Sequence, residues 1–125
     1  MSTVTFYTYP SCTSCRKTKK WLQTNNINFE EKHLFRQPLT VDEIYFLLSF
    51  TTEGLDELLA TRSQSYKDLN LNIDDLPLSQ VVELIIDNPK LLKRPIISDG
   101  KHLVVGYQPE HLKSFNRKNK LFEAV

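Results

Sequence analysis

Residues 4–17, VTFYTYPSCTSCRK, decide the fold of this chain of 125 residues. The segment opens with β-branched and aromatic residues from Val4 to Tyr9, which predict a strand that ends at Pro10. Good helix formers then run from Arg16 to Thr24, and the asparagine pair that follows predicts the end of that helix. Both cysteines of the chain therefore lie where a strand passes into a helix.

The flanking segments extend this unit into an α/β fold. Ile27 to His33 alternates loosely and predicts a second strand, which a right-handed crossover would make parallel to the first. Near the other end, Pro95 to Ser98 and His102 to Val105 predict two strands joined by the turn signal Asp99-Gly100. A last helix is predicted from Pro109 to Phe115.

The middle of the chain is predicted to be helical. Thr40 and Glu43 form a capping-box pattern ahead of one helix, and a short helix follows Gly54. Ser79 is predicted to cap a third helix that ends before Pro89. The order β-α-β, helices, β-β-α is that of a thioredoxin-like fold with a helical insertion. We expect one domain over residues 1–125, with thioredoxin-like halves at about 1–35 and 94–117 and the insertion at about 40–93.

Composition limits the function classes. Apolar residues make up 40% and charged residues 25%, so the chain is expected to fold. Two cysteines exclude a disulfide-dense scaffold and a four-cysteine zinc site. The first ten residues have no basic start or apolar core, and no apolar run is long enough for a membrane span. We therefore expect a cytoplasmic protein without a membrane partner.

The pair Cys12 and Cys15 is a CxxC motif beside a βαβ pattern, which is typical of thioredoxin-like redox sites. Two intervening residues on a first helical turn let the sulfurs approach, and a helix N-terminus favours a thiolate. No acidic residue precedes Glu30, and four basic residues follow the pair: Arg16, Lys17, Lys19 and Lys20. Cys12 is then the attacking thiolate and Cys15 the resolving thiol. Two other interpretations stay open, half of a zinc site and two ordinary buried cysteines. We expect no cofactor and no metal.

Four stretches, PSCTSCRK, TTEGLDELLATRS, LLKRPII and VGY, resemble the Spx family of redox-responsive transcription regulators, within the ArsC-like branch of thioredoxin folds. The resemblance covers essentially the whole chain. It implies a regulator of stress-response genes that binds the C-terminal domain of the RNA polymerase α subunit. It also implies that promoter DNA is reached only through the polymerase complex, and that a Cys12–Cys15 disulfide switches the activity. We expect a monomer when the protein is free.

The resemblance also assigns residues. Gly54 matches the family glycine that contacts RNA polymerase α, although the sequence alone favours a helix-breaking turn residue, and both interpretations can hold. Arg62 and Arg94 match arginines that support the redox site, with surface ion pairs as the alternative. Pro95 lies where thioredoxin folds carry a cis-proline. No catalytic residue is assigned.

The main rival function is enzymatic: a thiol oxidoreductase or an arsenate reductase-like enzyme. Tyr107 stands where the reductases that this family resembles carry a third arginine. Three guanidinium forks suit a tetrahedral oxyanion, and two suit it less well. The CxxC, in place of the reductases' single cysteine, also favours a regulator over an enzyme.

Charge is unevenly distributed behind a net charge of +1. Residues 1–29 hold four basic and no acidic residues, residues 30–88 hold four basic and twelve acidic, and residues 89–125 hold eight basic and three acidic. The basic C-terminal segment is a candidate for phosphate contacts beside the polymerase, or else a solvated surface. Its candidate residues are Lys113, Arg117, Lys118 and Lys120.

Overall fold

A computed structural model describes residues 4–10, 12–52 and 54–115. The chain forms two compact units. One is built from Met1–His33 and Arg94–Val125, and the other from Leu34–Lys93. Among the helices in the described ranges, none combines the length and hydropathy that crossing a bilayer requires. The predicted α/β, thioredoxin-like class is confirmed by the sheet and helices described below.

The first unit contains a four-stranded mixed sheet in the order β2-β1-β3-β4. Its strands are β1 Val4–Thr8, β2 Phe29–His33, β3 Ile96–Ser98 and β4 Leu103–Val105. β1 runs parallel to β2 and antiparallel to β3, and β3 runs antiparallel to β4. Strands from the first 35 residues and from residues 96–105 therefore pair in one sheet.

The first helix, α1 Thr13–Thr24, includes three residues ahead of Arg16, where the run of good helix formers begins. Cys12 is the N-cap of α1, and its sulfur accepts the Cys15 backbone N–H in the way that a polar cap side chain normally does. The two cysteines therefore lie on the first turn of the helix. Asn26, at φ 57°, follows the helix end in the left-handed conformation that asparagine tolerates.

One apolar cluster lies against the sheet of this unit. Phe6, Cys15 and Leu22 belong to it, so one cysteine is part of the core. The described part of the chain ends with α6 Pro109–Leu112 and a 3-10 turn Lys113–Phe115. These two elements contribute Leu112 and Phe115 to the cluster.

The second unit is helical. It contains α2 Val41–Leu48, α3 Leu55–Leu58, α4 Gln64–Asp68 and α5 Leu78–Asp87, with 3-10 turns at Ile73–Asp75 and Pro89–Leu91. The predicted capping box is present in full: the Thr40 hydroxyl accepts from the Glu43 backbone N–H, and the Glu43 carboxylate accepts from the Thr40 N–H, both at 3.1 Å. The sequence pattern missed α4 because none of its residues is buried.

The prediction that Ser79 caps the third predicted helix is wrong. That helix is α5, and it begins at Leu78 after Pro77, whose φ of −60° and ψ of 147° hold the cap position extended. Proline is well suited to a helix start because its ring fixes φ. The N–H that proline lacks would also have no intrahelical acceptor at that position. Ser79 is therefore inside the helix.

Candidate functional site

The cysteine pair lies at the start of α1, where Cys12 has an extended backbone and Cys15 is one helical turn on. The Cys15 backbone N–H donates to the Cys12 sulfur at 3.2 Å. Neighbours three residues apart on a helix are close enough for their side chains to meet. Both thiols are free, and the Cys12 side chain is close enough to the Cys15 thiol to raise its pKa. The geometry therefore suits closure of a disulfide between them.

The two cysteines differ in their surroundings. Cys12 is partly exposed, whereas Cys15 is 4% exposed within the core cluster. Burial, and then its hydrogen bond with Cys12, raise the pKa of the Cys15 thiol to about 11 from its ordinary 9.0. Hydrogen bonds with the Thr8 side chain and the Tyr9 backbone act in the opposite direction. Cys15 is thus held as a neutral thiol, the state expected of a resolving partner.

Arg94 and Pro95 lie beside β1 in the same unit, at the start of β3. The Arg94–Pro95 peptide bond is cis, and the Pro95 carbonyl accepts from the Gly106 N–H at 2.7 Å. Arg94 is exposed, and its guanidinium carbon lies 4.7 Å from the centre of the Tyr9 ring. This distance is within the range of a cation–π interaction.

Tyr9 and Thr8 are site residues that sequence reasoning missed. Both are buried, and both interact with the Cys15 thiol. Side chains alternate between the two faces of a strand, so one of two neighbouring residues is expected to point away from the core. The burial of both Thr8 and Tyr9 was therefore not predicted. Their position immediately before Pro10 and the CxxC motif could have indicated that they lie close to the cysteines.

Tyr107, which the resemblance sets at the place of the third reductase arginine, is partly buried and packs against the core cluster. It follows Gly106, which has a φ of 80°. A phenol there supplies apolar contact and no positive charge.

Gly54 and Arg62 lie in the second unit. Gly54 caps α3 with φ 76° and ψ −141°, a conformation that only glycine adopts readily. A Cβ placed on it would meet nothing within 4 Å. The local requirement is therefore the backbone conformation of a helix start. Arg62 is exposed in the turn before α4. The assigned roles of both residues stay predictions.

The described residues also include three histidines. His33 and His102 pair loosely with carboxylates, Glu31 at 3.8 Å and Asp99 at 3.2 Å. No group of three or more His, Cys, Asp or Glu residues in the described ranges could hold a metal ion. Of the basic C-terminal candidates, Lys113 bonds Glu110 at 3.2 Å, and the others, Arg117, Lys118 and Lys120, lie outside the described residues.

Comparison with known proteins places this chain in a family. The regulatory protein MgsR of Bacillus subtilis is 54% identical over 122 residues, which are 98% of this chain and 97% of that protein. The global transcriptional regulator Spx of Staphylococcus aureus is 49% identical over 121 residues, 96% of this chain and 92% of that protein.

A solved structure agrees with these relatives. A Bacteroides fragilis protein described as related to the ArsC family superposes with a TM-score of 0.81 at 28% identity, over 90% of this chain and 96% of that one. The sequence profile of the ArsC family matches residues 7–115, from β1 to the end of the described chain. The chain, with its cysteine pair at the strand-to-helix junction, therefore belongs to the ArsC family.

Proposed function

We propose that this protein is a redox-sensing transcription regulator that controls stress-response genes, switched by a Cys12–Cys15 disulfide. The observation that carries the proposal is the contact at the start of α1, where the partly exposed Cys12 meets the buried Cys15. Relatives that match nearly the whole chain are named as regulators, which favours this function over catalysis. The cytoplasm, where thiols are kept reduced until an oxidant appears, is the matching location.

The switch requires an oxidant, for which we propose a hydroperoxide. The Cys12 thiolate attacks the peroxide oxygen and becomes a sulfenic acid, and the alkoxide that leaves takes a proton from water and departs as the alcohol. The Cys15 thiol then displaces hydroxide from the Cys12 sulfur; its proton leaves with that hydroxide as water, and the disulfide is formed. The two thiols lose two electrons, and the peroxide gains them.

The proposed partner is the C-terminal domain of the RNA polymerase α subunit, which would bind around Gly54. The open space in front of Gly54 supports this, since nothing in the described chain occupies the place where an added side chain would extend. The adjoining helix carries Asp56 and Glu57 in its first turn, so the surface there is acidic. Promoter DNA is reached only through the polymerase, with Lys113 as the described candidate for a phosphate contact.

The same proposal assigns supporting roles to three residues. Arg94 and Pro95 flank the cis peptide at the start of β3, and Arg62 is an exposed cation of the second unit. We propose that the arginines support the oxidised state and that residues 1–125 work as one domain.

The test is capture of the protein by the purified C-terminal domain of polymerase α, with Gly54→Arg compared with Gly54→Ala. Both substitutions impose the same backbone strain at φ 76°, so they differ in side-chain size and in the positive charge that arginine adds. We expect Gly54→Ala to retain binding and Gly54→Arg to lose it, with matched circular dichroism spectra. Absence of binding by the native protein in both redox states would contradict the proposal.

The arrangement also has the chemistry of a thiol oxidoreductase, since a partly exposed thiol with a buried partner serves disulfide exchange as well. Turnover of a disulfide substrate that is abolished by Cys12→Ser would favour this rival. The regulator instead requires stoichiometric oxidation without turnover.

A further inference from the structure

The outward surface of α1 carries positive charge and no negative charge. Positions three and four apart on a helix share a face, and the exposed residues of α1 follow that spacing from its first turn to its last. They form one continuous surface, which we call the α1 face: Thr13, Arg16, Lys17, Lys20, Gln23 and Thr24.

The three cations of the α1 face have no carboxylate partner among the described residues. Lys19, the remaining cation of the helix, is the one that pairs, with Glu31 of β2 at 3.0 Å. Glu30 is exposed, but neighbouring side chains of a strand point to opposite faces of the sheet, so it points away from the side on which Glu31 meets α1. Arg16 donates to the Thr13 hydroxyl at 3.2 Å, which leaves most of the guanidinium donors available.

The composition of the α1 face fits phosphate groups better than a protein or a membrane. None of its six side chains is apolar, whereas the core of a protein–protein interface is enriched in aromatic residues and depleted of lysine. A helix that lies on a membrane also needs an apolar face to bury. Arginine, lysine, threonine and glutamine are residues that donate hydrogen bonds to phosphate oxygens in protein–DNA complexes.

We propose that the α1 face binds the phosphate backbone of duplex DNA through Arg16, Lys17 and Lys20. The inference deepens the proposed function, on which it rests for the source of the DNA, a promoter held by the polymerase. Phosphate contacts carry no base sequence information, so they would add affinity without choosing the promoter. Three contacts give only weak binding at physiological salt, which agrees with DNA being reached through the polymerase.

The test measures binding of the free protein to a fluorescent DNA duplex of random sequence, by anisotropy at a series of salt concentrations. Three neutralised phosphates predict a roughly 40-fold loss of affinity between 50 and 200 mM salt for the native chain. The triple variant Arg16→Gln, Lys17→Gln and Lys20→Gln should bind weakly at every salt concentration and lose little further affinity. Lys20→Gln alone should reduce the loss over the same range about 3.5-fold.

The matched control replaces three exposed cations of the second unit by glutamine: Arg36, Lys90 and Lys93. It removes the same charge and should keep the native salt dependence. Equal losses in the two triple variants would overturn the proposal, because net charge alone would then explain the binding, and so would absence of binding by the native chain at 50 mM salt. Loss of polymerase α capture in the α1 triple variant with unchanged DNA binding would assign the face to a protein and overturn it as well.

The DNA measurement uses the free protein, so its outcome does not depend on whether the polymerase α subunit binds. Failure of the native protein to bind that subunit would contradict the proposed function while the salt dependence still reported on the α1 face. All the substituted side chains are exposed, and matched circular dichroism spectra would show that the variants are folded.

Discussion

Cys12 stabilises the start of α1, and replacing it tests that role directly. Its sulfur accepts the Cys15 N–H at 3.2 Å, one of the donors that a helix N-terminus leaves without an intrahelical partner. Loss of an N-cap acceptor costs about 0.5–2 kcal/mol. Sulfur is a weak acceptor, so we expect the low end, about 0.5–1 kcal/mol, for Cys12→Ala. In a domain of this size that lowers Tm by roughly 2–4 °C.

The matched variant is Cys12→Ser, which removes the thiol but restores a preferred capping oxygen. Urea unfolding of the reduced protein should rank Cys12→Ser at or above the native chain and Cys12→Ala below it. Both variants lose the disulfide equally, so redox chemistry cannot produce the difference. Equal stability of Cys12→Ala and Cys12→Ser would refute the capping argument.

Three further outcomes are expected. The Cys15 thiol binds its proton more tightly in the folded than in the unfolded chain, so the stabilisation is full below pH 9.0 and is lost towards pH 11. The reduced protein should lose roughly 2 kcal/mol over that range in urea unfolding, and Cys15→Ala should lose less. Thr40→Ala breaks the capping box and should cost about 1 kcal/mol, whereas Thr40→Ser should retain most of it; equal losses would count against the cap. Thr18 is fully buried and its hydroxyl has no hydrogen-bond partner in the described chain, so Thr18→Val should raise the unfolding midpoint by the equivalent of about 1 kcal/mol, and a lower midpoint would contradict this.

The parts of the fold that follow from local chemistry were predictable from the sequence. β-branched and aromatic residues predicted β1, and the Thr40–Glu43 pattern predicted its capping box. Asp99-Gly100 predicted the hairpin, whose turn is held by Asp99 accepting from the Lys101 and His102 N–H groups. Each signal is contained within a few residues, so no long-range information was needed.

The features that depend on the register between strands were not predictable in the same way. The pairing of Tyr9 with Arg94 joins residues 85 positions apart, and only the alignment of β1 with β3 brings them together. Cys12 was predicted at the start of the helix, but its role as the capping acceptor was not, because cysteine is not among the usual capping residues. At α5 the sequence offered two possible cap residues, Pro77 and Ser79. The structure has Pro77 at the cap position, whereas the sequence pattern predicted Ser79.

The outer strand β2 has a consequence for the behaviour of the protein at high concentration. Its last four residues, Glu30 to His33, are charged or titratable, and β2 lies at one edge of the described sheet. If copies stacked edge to edge in parallel register, as in a fibril, each carboxylate of Glu30 and Glu31 would lie beside its own equivalent about 5 Å away. The repulsion between like charges and the loss of their hydration both oppose that stacking. The strand that completes the sheet thus also keeps separate molecules from extending it.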